Sequence, residues 1–273
     1  MLFLKSMANK ESNVKKAIDD FYIGLKEWRV WYLMAIIEIK MRYKRSKLGQ
    51  FWITLSNAIN ILALSVIWSC LFKISIEEYL PYVTINFCLW IFLNSIITEG
   101  SQMFINSSRY IQQIPIKKSS FAYMNVLKNL IVFGHNLIVV VIVFALFYRH
   151  IGINILFSFA GLALILINAV WVSLFVGMIC ARFRDVQSII VSMLQVVFYV
   201  TPTMWRLENM SEKIVWISNF NPFNIFISIV RDGMFNSAPN LRYWASAIVI
   251  TCIGYAITFY AFSKYRSRIV FWA

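Results

Sequence analysis

The chain has 273 residues, of which 60% are hydrophobic and only 14% charged, and its mean hydropathy is +0.68. A soluble domain carries about a quarter of its residues as charges, so this composition excludes an ordinary water-soluble enzyme or binding module. The formal charge of +14 would suit nucleic acid, but its meaning depends on where the basic residues lie relative to the apolar runs.

The N-terminal residues mix Lys5, Lys10, Lys15 and Lys16 with Glu11, Asp19 and Asp20, without the apolar core and small-residue cleavage site of a signal peptide. Next, Trp28, Trp31, Tyr32, Ala35, Ile36 and Ile39 recur at helical spacing, opposed by Arg29, Glu38 and Lys40. The uncharged stretch there is too short to cross a bilayer, so an amphipathic helix lying in the membrane interface is expected. The cluster Lys40, Arg42, Lys44, Arg45 and Lys47 then meets the headgroups.

Uncharged runs long enough to cross follow at residues 52–72, 79–98, 129–148, 151–181, 186–205 and 243–263. They are continuous rather than alternating, which favours helices over a barrel. The run 214–230 is different: Asn219, Asn221 and Asn224 resist lipid, and Pro222 removes a backbone donor at mid-run, so two short half-helices in a re-entrant or interfacial segment are expected. The expected fold is an all-α membrane protein with six transmembrane helices, an N-terminal interfacial helix and this segment before the last span. It forms a single membrane domain, 1–273, with a cytoplasmic N-terminus 1–51, a six-span region 52–263 and a cytoplasmic tail 264–273.

Of the 26 Lys and Arg residues, 20 fall in the termini and in the loops on their side, against six in the opposite loops. By the positive-inside rule both termini face the cytoplasm. The charge is thus an orientation signal with attraction to anionic lipid, and a nucleic-acid partner is not required. Cys70, Cys88, Cys180 and Cys252 sit in apolar runs without paired spacing, which indicates neither a metal site nor a disulfide framework.

Intramembrane chemistry is sparse. His135 is the titratable group well inside a span, apart from tyrosines and cysteines; Glu99 and Asp185 are expected at span ends. No catalytic residue, metal site or phosphate-cradling glycine loop is read, so ATP hydrolysis is not expected in this chain. A membrane-embedded glycan-lipid transferase using His135 or Glu99 is the competing class.

The stretch RYKRSKLGQFWITL (residues 42–55), the turn ARFRDV (181–186), TPTMW (201–205) and NPFNIFISIVRD (221–232) occur in the order and placement that resemble the transmembrane permease subunits of ABC-type polysaccharide exporters. That family serves O-antigen, capsule and teichoic acid export. TPTMW is similar to the O-antigen branch, while Gln50 stands where the family usually has proline and RDGMF (231–235) departs from its pattern.

The resemblance implies a homodimer in the bacterial inner membrane, working with two ATP-binding cassette subunits that hold the ATP and magnesium, and exporting lipid-linked polysaccharide, O-antigen in particular. An exporter of small molecules is the alternative within the ABC class. Residues Arg109, Gln112, Gln113, Lys117 and Lys118, in the long loop 99–128, match the family's ATPase-coupling helix. Trp28, Trp31, Tyr32, Arg42 and Arg45 belong to the interfacial gate helix, and Asn221, Pro222, Phe223 and Arg231 to an external gate.

Aromatic rings bind the C–H faces of sugars without a fixed hydrogen-bond pattern. Trp52, Trp68, Phe72, Tyr79, Tyr82, Phe198, Tyr199 and Trp205, near the span ends, are accordingly candidates for rings along a glycan path. Gln195, Tyr199, Thr201 and Thr203 make the 186–205 span the expected channel wall.

Overall fold

The computed structural model describes residues 2–44, 49, 51–148, 152–207 and 210–273, with side chains in the first helix described from residue 13 onward. Arg45, Lys47, Gln50 and Arg149 lie outside the described residues. The described elements are helical: α1 (Leu2–Lys26), α2 (Trp28–Tyr43), α3 (Phe51–Phe72), α4 (Ile76–Asn106), α5 (Ser108–Gln113), α6 (Lys118–Phe147), α7 (Ile155–Arg182), α8 (Asp185–Val200), α9 (Glu212–Phe220), α10 (Pro222–Met234), α11 (Leu241–Tyr265) and α12 (Ile269–Trp272).

Five of them, α3, α4, α6, α7 and α11, are long and apolar enough to cross a membrane. The sixth expected span is the shorter helix α8, which ends at Val200 because Pro202 follows in an irregular turn.

Helix α3 shows which solvent the bundle is built for. Its buried residues, Thr54, Asn57, Ile61, Ser65 and Ser69, form a mostly polar stripe at helical spacing, while Leu55, Ile59, Leu62, Val66, Ile67 and Leu71 point outward. In water that arrangement would be inverted; in lipid, small and polar groups make helix contacts and apolar ones face the solvent. Asn57 donates to Asn136 Oδ1 at 3.1 Å, tying α3 to α6.

The central helix is α4, packed between α6 and α7. It crosses α7 closely: a Cβ placed on Gly177 would lie 3.0 Å from the Gly100 carbonyl oxygen. Asn125 of α6 completes this junction, donating to Ser173 Oγ at 2.9 Å and to the Ile96 carbonyl at 3.1 Å.

Both α4 and α6 extend past the expected span ends at residues 98 and 129. The expected loop 99–128 therefore shrinks to residues 107–117, which hold α5. The extension is possible because Glu99 and Lys128, read as water-facing charges, pair with each other at 3.0 Å.

Helix α1 was not expected from the sequence. Asp20, buried, accepts from the Ser119 backbone N–H at 3.0 Å at the start of α6, and its other carboxylate oxygen pairs with Arg266 at 3.2 Å. Phe21 packs against Phe259 and Phe262 of α11. The tail, expected as a simple cytoplasmic extension, folds back as α12, with Ile269 fully buried and Trp272 beside Tyr265. Both terminal segments therefore meet at one end of the bundle, called here the tail end; the loops 73–75, 201–207 and 235–240 lie at the far end.

The segment 212–234 is broken at Asn221, as expected. Asn221 Oδ1 accepts from the Phe223 N–H at 3.0 Å, Pro222 occupies the first turn of α10, and Asn224 Nδ2 returns to the Ser218 carbonyl at 2.9 Å. Helix α10 is packed between α7, α11 and α4. A Cβ on Gly161 would meet the Ile229 carbonyl oxygen at 3.1 Å, so glycine is what permits that approach.

Candidate functional site

Helix α8 runs antiparallel beside α4. Val191 and Leu194 face Asn94 and Thr98, Phe198 meets Trp90 at 5.1 Å between ring centroids, and the Met204 carbonyl accepts from the Tyr79 hydroxyl. Between the two helices lies a groove of about 470 Å³ lined by Trp90, Asn94, Thr98, Gln195, Phe198 and Tyr199. Of the residues expected on a channel wall, Gln195 and Tyr199 line this groove, whereas Thr201 and Thr203 are buried in the turn and are not part of it. Trp90 and Asn94 were missed by the sequence reading because they sit deep in α4, away from the interfacial belt where aromatic residues drew attention.

Trp90 also meets Phe223 at 5.1 Å, so the first turn of α10 touches the groove's wall. Asn221 donates to Thr201 Oγ1 at 2.8 Å. The expected gate residues Asn221, Pro222 and Phe223 are thus brought against α8 and α4 at the base of α10. Arg231 is elsewhere, at the other end of α10.

At the far end, rings form a chain: Trp68 to Phe72 at 5.3 Å, Phe72 to Tyr79 at 6.4 Å and Tyr79 to Tyr82 at 6.5 Å. The Tyr82 hydroxyl donates to the Trp205 carbonyl at 3.1 Å, and Trp205 Nε1 donates to the Tyr199 carbonyl at 3.2 Å. Trp52 does not join them; it lies exposed in the first turn of α3, at that helix's opposite end.

The guanidinium carbons of Arg206 and Arg231 lie 5.2 and 5.5 Å from the Tyr82 ring centroid. Arg206 pairs with Glu78 at 2.6 Å and Arg231 with Asp232 at 2.8 Å. These groups border a far-end cavity of about 630 Å³. Arg206, Glu78 and Asp232 were not singled out in the sequence, since charges at span ends read as orientation signals.

At the tail end, Arg109, Gln112 and Gln113 project from α5 and are exposed, while Ile111 is buried and anchors the helix. Lys117 and Lys118, half-buried, stand at the start of α6, behind that exposed face. Trp28, Tyr32 and Arg42 are exposed on α2, and Trp31 turns inward, against Tyr123 and donating to the Gly24 carbonyl at 3.1 Å. The apolar residues of α2 are not confined to one face: Ala35 and Ile39 are buried, but Leu33, Ile37 and Met41 are exposed. One side meets the bundle and the other faces outward.

A charge network joins α2 to the bundle. Lys128 pairs with Glu38 at 2.7 Å and with Glu99 at 3.0 Å, and Glu99 pairs with Arg42 at 2.9 Å. Glu99 is therefore occupied as an ion-pair partner. His135 bonds through Nδ1 to the Ile131 carbonyl of its own helix at 2.8 Å and meets Phe51 edge-on. Both side chains are held by partners within the helix bundle, Glu99 by Lys128 and Arg42 and His135 by its own helix.

Comparison with known proteins agrees with this helical membrane arrangement. Residues 29–235, spanning α2 to α10 and so including the groove, α5 and the broken helix, match the ABC-2 type transporter family. Two O-antigen export system permease proteins RfbA of Klebsiella pneumoniae are 25% and 22% identical to the chain over 240 residues, each alignment covering 85% of this chain and 90% of the relative. The chain belongs to the ABC-2 type transporter family, as a multi-pass membrane permease component and not as an enzyme.

Proposed function

We propose that the chain is the permease of an exporter of lipid-linked polysaccharide of the O-antigen class, acting as a homodimer with two ATP-binding cassette subunits that bind ATP and magnesium. The observation that carries this reading is the groove between α4 and α8. It combines ring faces (Trp90, Phe198, Tyr199) with amide and hydroxyl side chains (Asn94, Gln195, Thr98), a lining suited to a sliding sugar chain. In a single copy the groove is open along one side, and a second copy facing it closes a channel. The names of the two relatives support the same substrate class.

In this reading both termini face the cytoplasm of a bacterial cell and the protein sits in the inner membrane as a single domain. Helix α8 completes six crossings: at about 1.5 Å per residue its 16 residues span roughly 24 Å, and the turn 201–205 carries the chain to the level of Tyr79, where α4 begins. Helices α9 and α10 form the re-entrant pair at the external side.

ATP binding in the partner moves α5, whose Arg109, Gln112 and Gln113 contact it, with Lys117 and Lys118 behind. Helix α2, with Trp28, Trp31, Tyr32 and Arg42, and with Arg45 next in the sequence, follows through the Glu38–Lys128–Glu99 network and opens the cytoplasmic entrance. Asn221, Pro222, Phe223 and Arg231 form the external gate. The rings Trp68, Phe72, Tyr82 and Trp205 continue the path outward from Phe198 and Tyr199, the expected ring of Tyr79 being fully buried behind them, and Trp52 lies at its cytoplasmic side.

Purification from native membranes in mild detergent tests the assembly. A stoichiometric partner with a phosphate-binding loop, whose ATP hydrolysis rises with the lipid-linked glycan, is the expected result. A partner stimulated only by small amphiphiles would point to a small-molecule exporter, and no partner at all would overturn the reading.

A further inference from the structure

We propose that the far-end cavity is a binding site for an uncharged, hydroxyl-rich stretch of glycan, holding a few sugar residues as they leave the α4–α8 groove. The proposal rests on the glycan reading above and adds a site to it. At about 630 Å³ the cavity falls within the range of about 300–1,000 Å³ usual for small-ligand sites.

Its lining decides the chemistry. Glu77, Glu78, Arg206, Arg231 and Asp232 contribute more acid than base, and each guanidinium already has its own carboxylate, Arg206 with Glu78 at 2.6 Å and Arg231 with Asp232 at 2.8 Å. Among the described residues a phosphate or an acidic sugar would find no uncommitted cation, and it would face the Glu77 carboxylate. A neutral sugar fits both kinds of group, since each hydroxyl donates to a carboxylate and accepts from an N–H. Glu77 is exposed and makes no hydrogen bond or ion pair to the described residues. Arg206 Nε is buried without an acceptor among them. Phe147 and Phe235 add apolar wall for the C–H faces of the rings.

Position supports the same ligand. Tyr82 borders the cavity and also holds, through its hydroxyl, the turn that ends at Trp205, which itself bonds back to Tyr199 in the groove. Arg231 lies one element length from Phe223, at the opposite end of α10, so one helix touches the groove at its base and the cavity at its tip.

The test is saturation-transfer NMR on the full-length protein with its co-purifying subunits in nanodiscs. The probes are short oligosaccharides released by mild acid from the cells' own surface polysaccharide, with inorganic phosphate as the anionic competitor. Saturable oligosaccharide binding is expected. Glu77→Gln, at an exposed position that disturbs no contact, should weaken it about tenfold, because the amide oxygen still accepts but without the charge that strengthens the hydrogen bond. Ser237→Trp, filling the cavity from its rim, should remove the same component of binding, leaving what the α4–α8 groove holds.

Binding unchanged in both variants, with each eluting as the native assembly, would overturn the proposal, as would displacement by phosphate. Absent binding in a complex whose ATP hydrolysis the lipid-linked glycan still stimulates would refute this site alone. Absence of both would refute the exporter reading with it.

Discussion

Lys128 is well inside α6 with a side chain only 9% exposed, and two carboxylates share it. A buried cation removed from such a network leaves uncompensated charge behind, so Lys128→Ala should cost about 3 kcal/mol, seen as a lower Tm in detergent, while Lys128→Arg keeps most of the stability. The pair Arg206–Glu78 belongs to a different class, since its carboxylate partner Glu78 is 61% exposed; Glu78→Gln should change stability by less than about 1 kcal/mol in the same assay. Close approach sets a third kind of residue effect. Gly177→Val would press a side chain against the Gly100 carbonyl and Met103, and about 1–3 kcal/mol of destabilisation is expected. The pairing of Lys128 with Glu99 was not legible in the sequence. A charge beside an apolar run reads as the run's end, and only the meeting of α4 with α6 shows that both charges sit inside helices.

The elements divide by what made them visible. Helices α3, α4, α6, α7 and α11 follow from uncharged runs, and their cores match the expected spans within a few residues except where charges pair. Helix α1 escaped notice because its interspersed Lys and Asp residues carry no apolar run; Asp20 and Phe21 anchor it through partners some hundred and more residues away. The break at Asn221 was legible from Pro222 and the flanking asparagines, and its cap is a specific liability. Asn221→Ala removes both the bond to the Phe223 N–H and that to Thr201, which should cost about 1–2 kcal/mol and raise the hydrogen exchange of the first turn of α10. Helix α5 carries the complementary expectation. Arg109→Glu with Gln113→Ala alters only exposed side chains, so Tm should hold within about 1 kcal/mol while glycan-stimulated ATP hydrolysis falls. Unchanged hydrolysis would remove α5 from the coupling path.

At the scale of the whole molecule, the composition excluded water as the principal solvent, and α3 shows the same thing in three dimensions, with hydroxyls and an amide inward and leucines and isoleucines outward. The groove was half legible. Gln195 and Tyr199 stood out on one helix, but Trp90 and Asn94 became part of it only when α8 folded back along α4. The far-end cavity was not legible as a site: Tyr82 and Arg231 stood out separately, and Glu78 and Arg206 join them only where three separate segments meet. Polysaccharide transport by ATP is the claim that binds these parts, and ATP-driven movement of a fluorescent lipid-linked O-antigen across proteoliposomes containing the chain and its co-purified subunits tests it most directly. Translocation that requires ATP and is lost in the Arg109→Glu, Gln113→Ala variant is the expected result; ATP hydrolysis without any movement of the glycan would contradict polysaccharide transport.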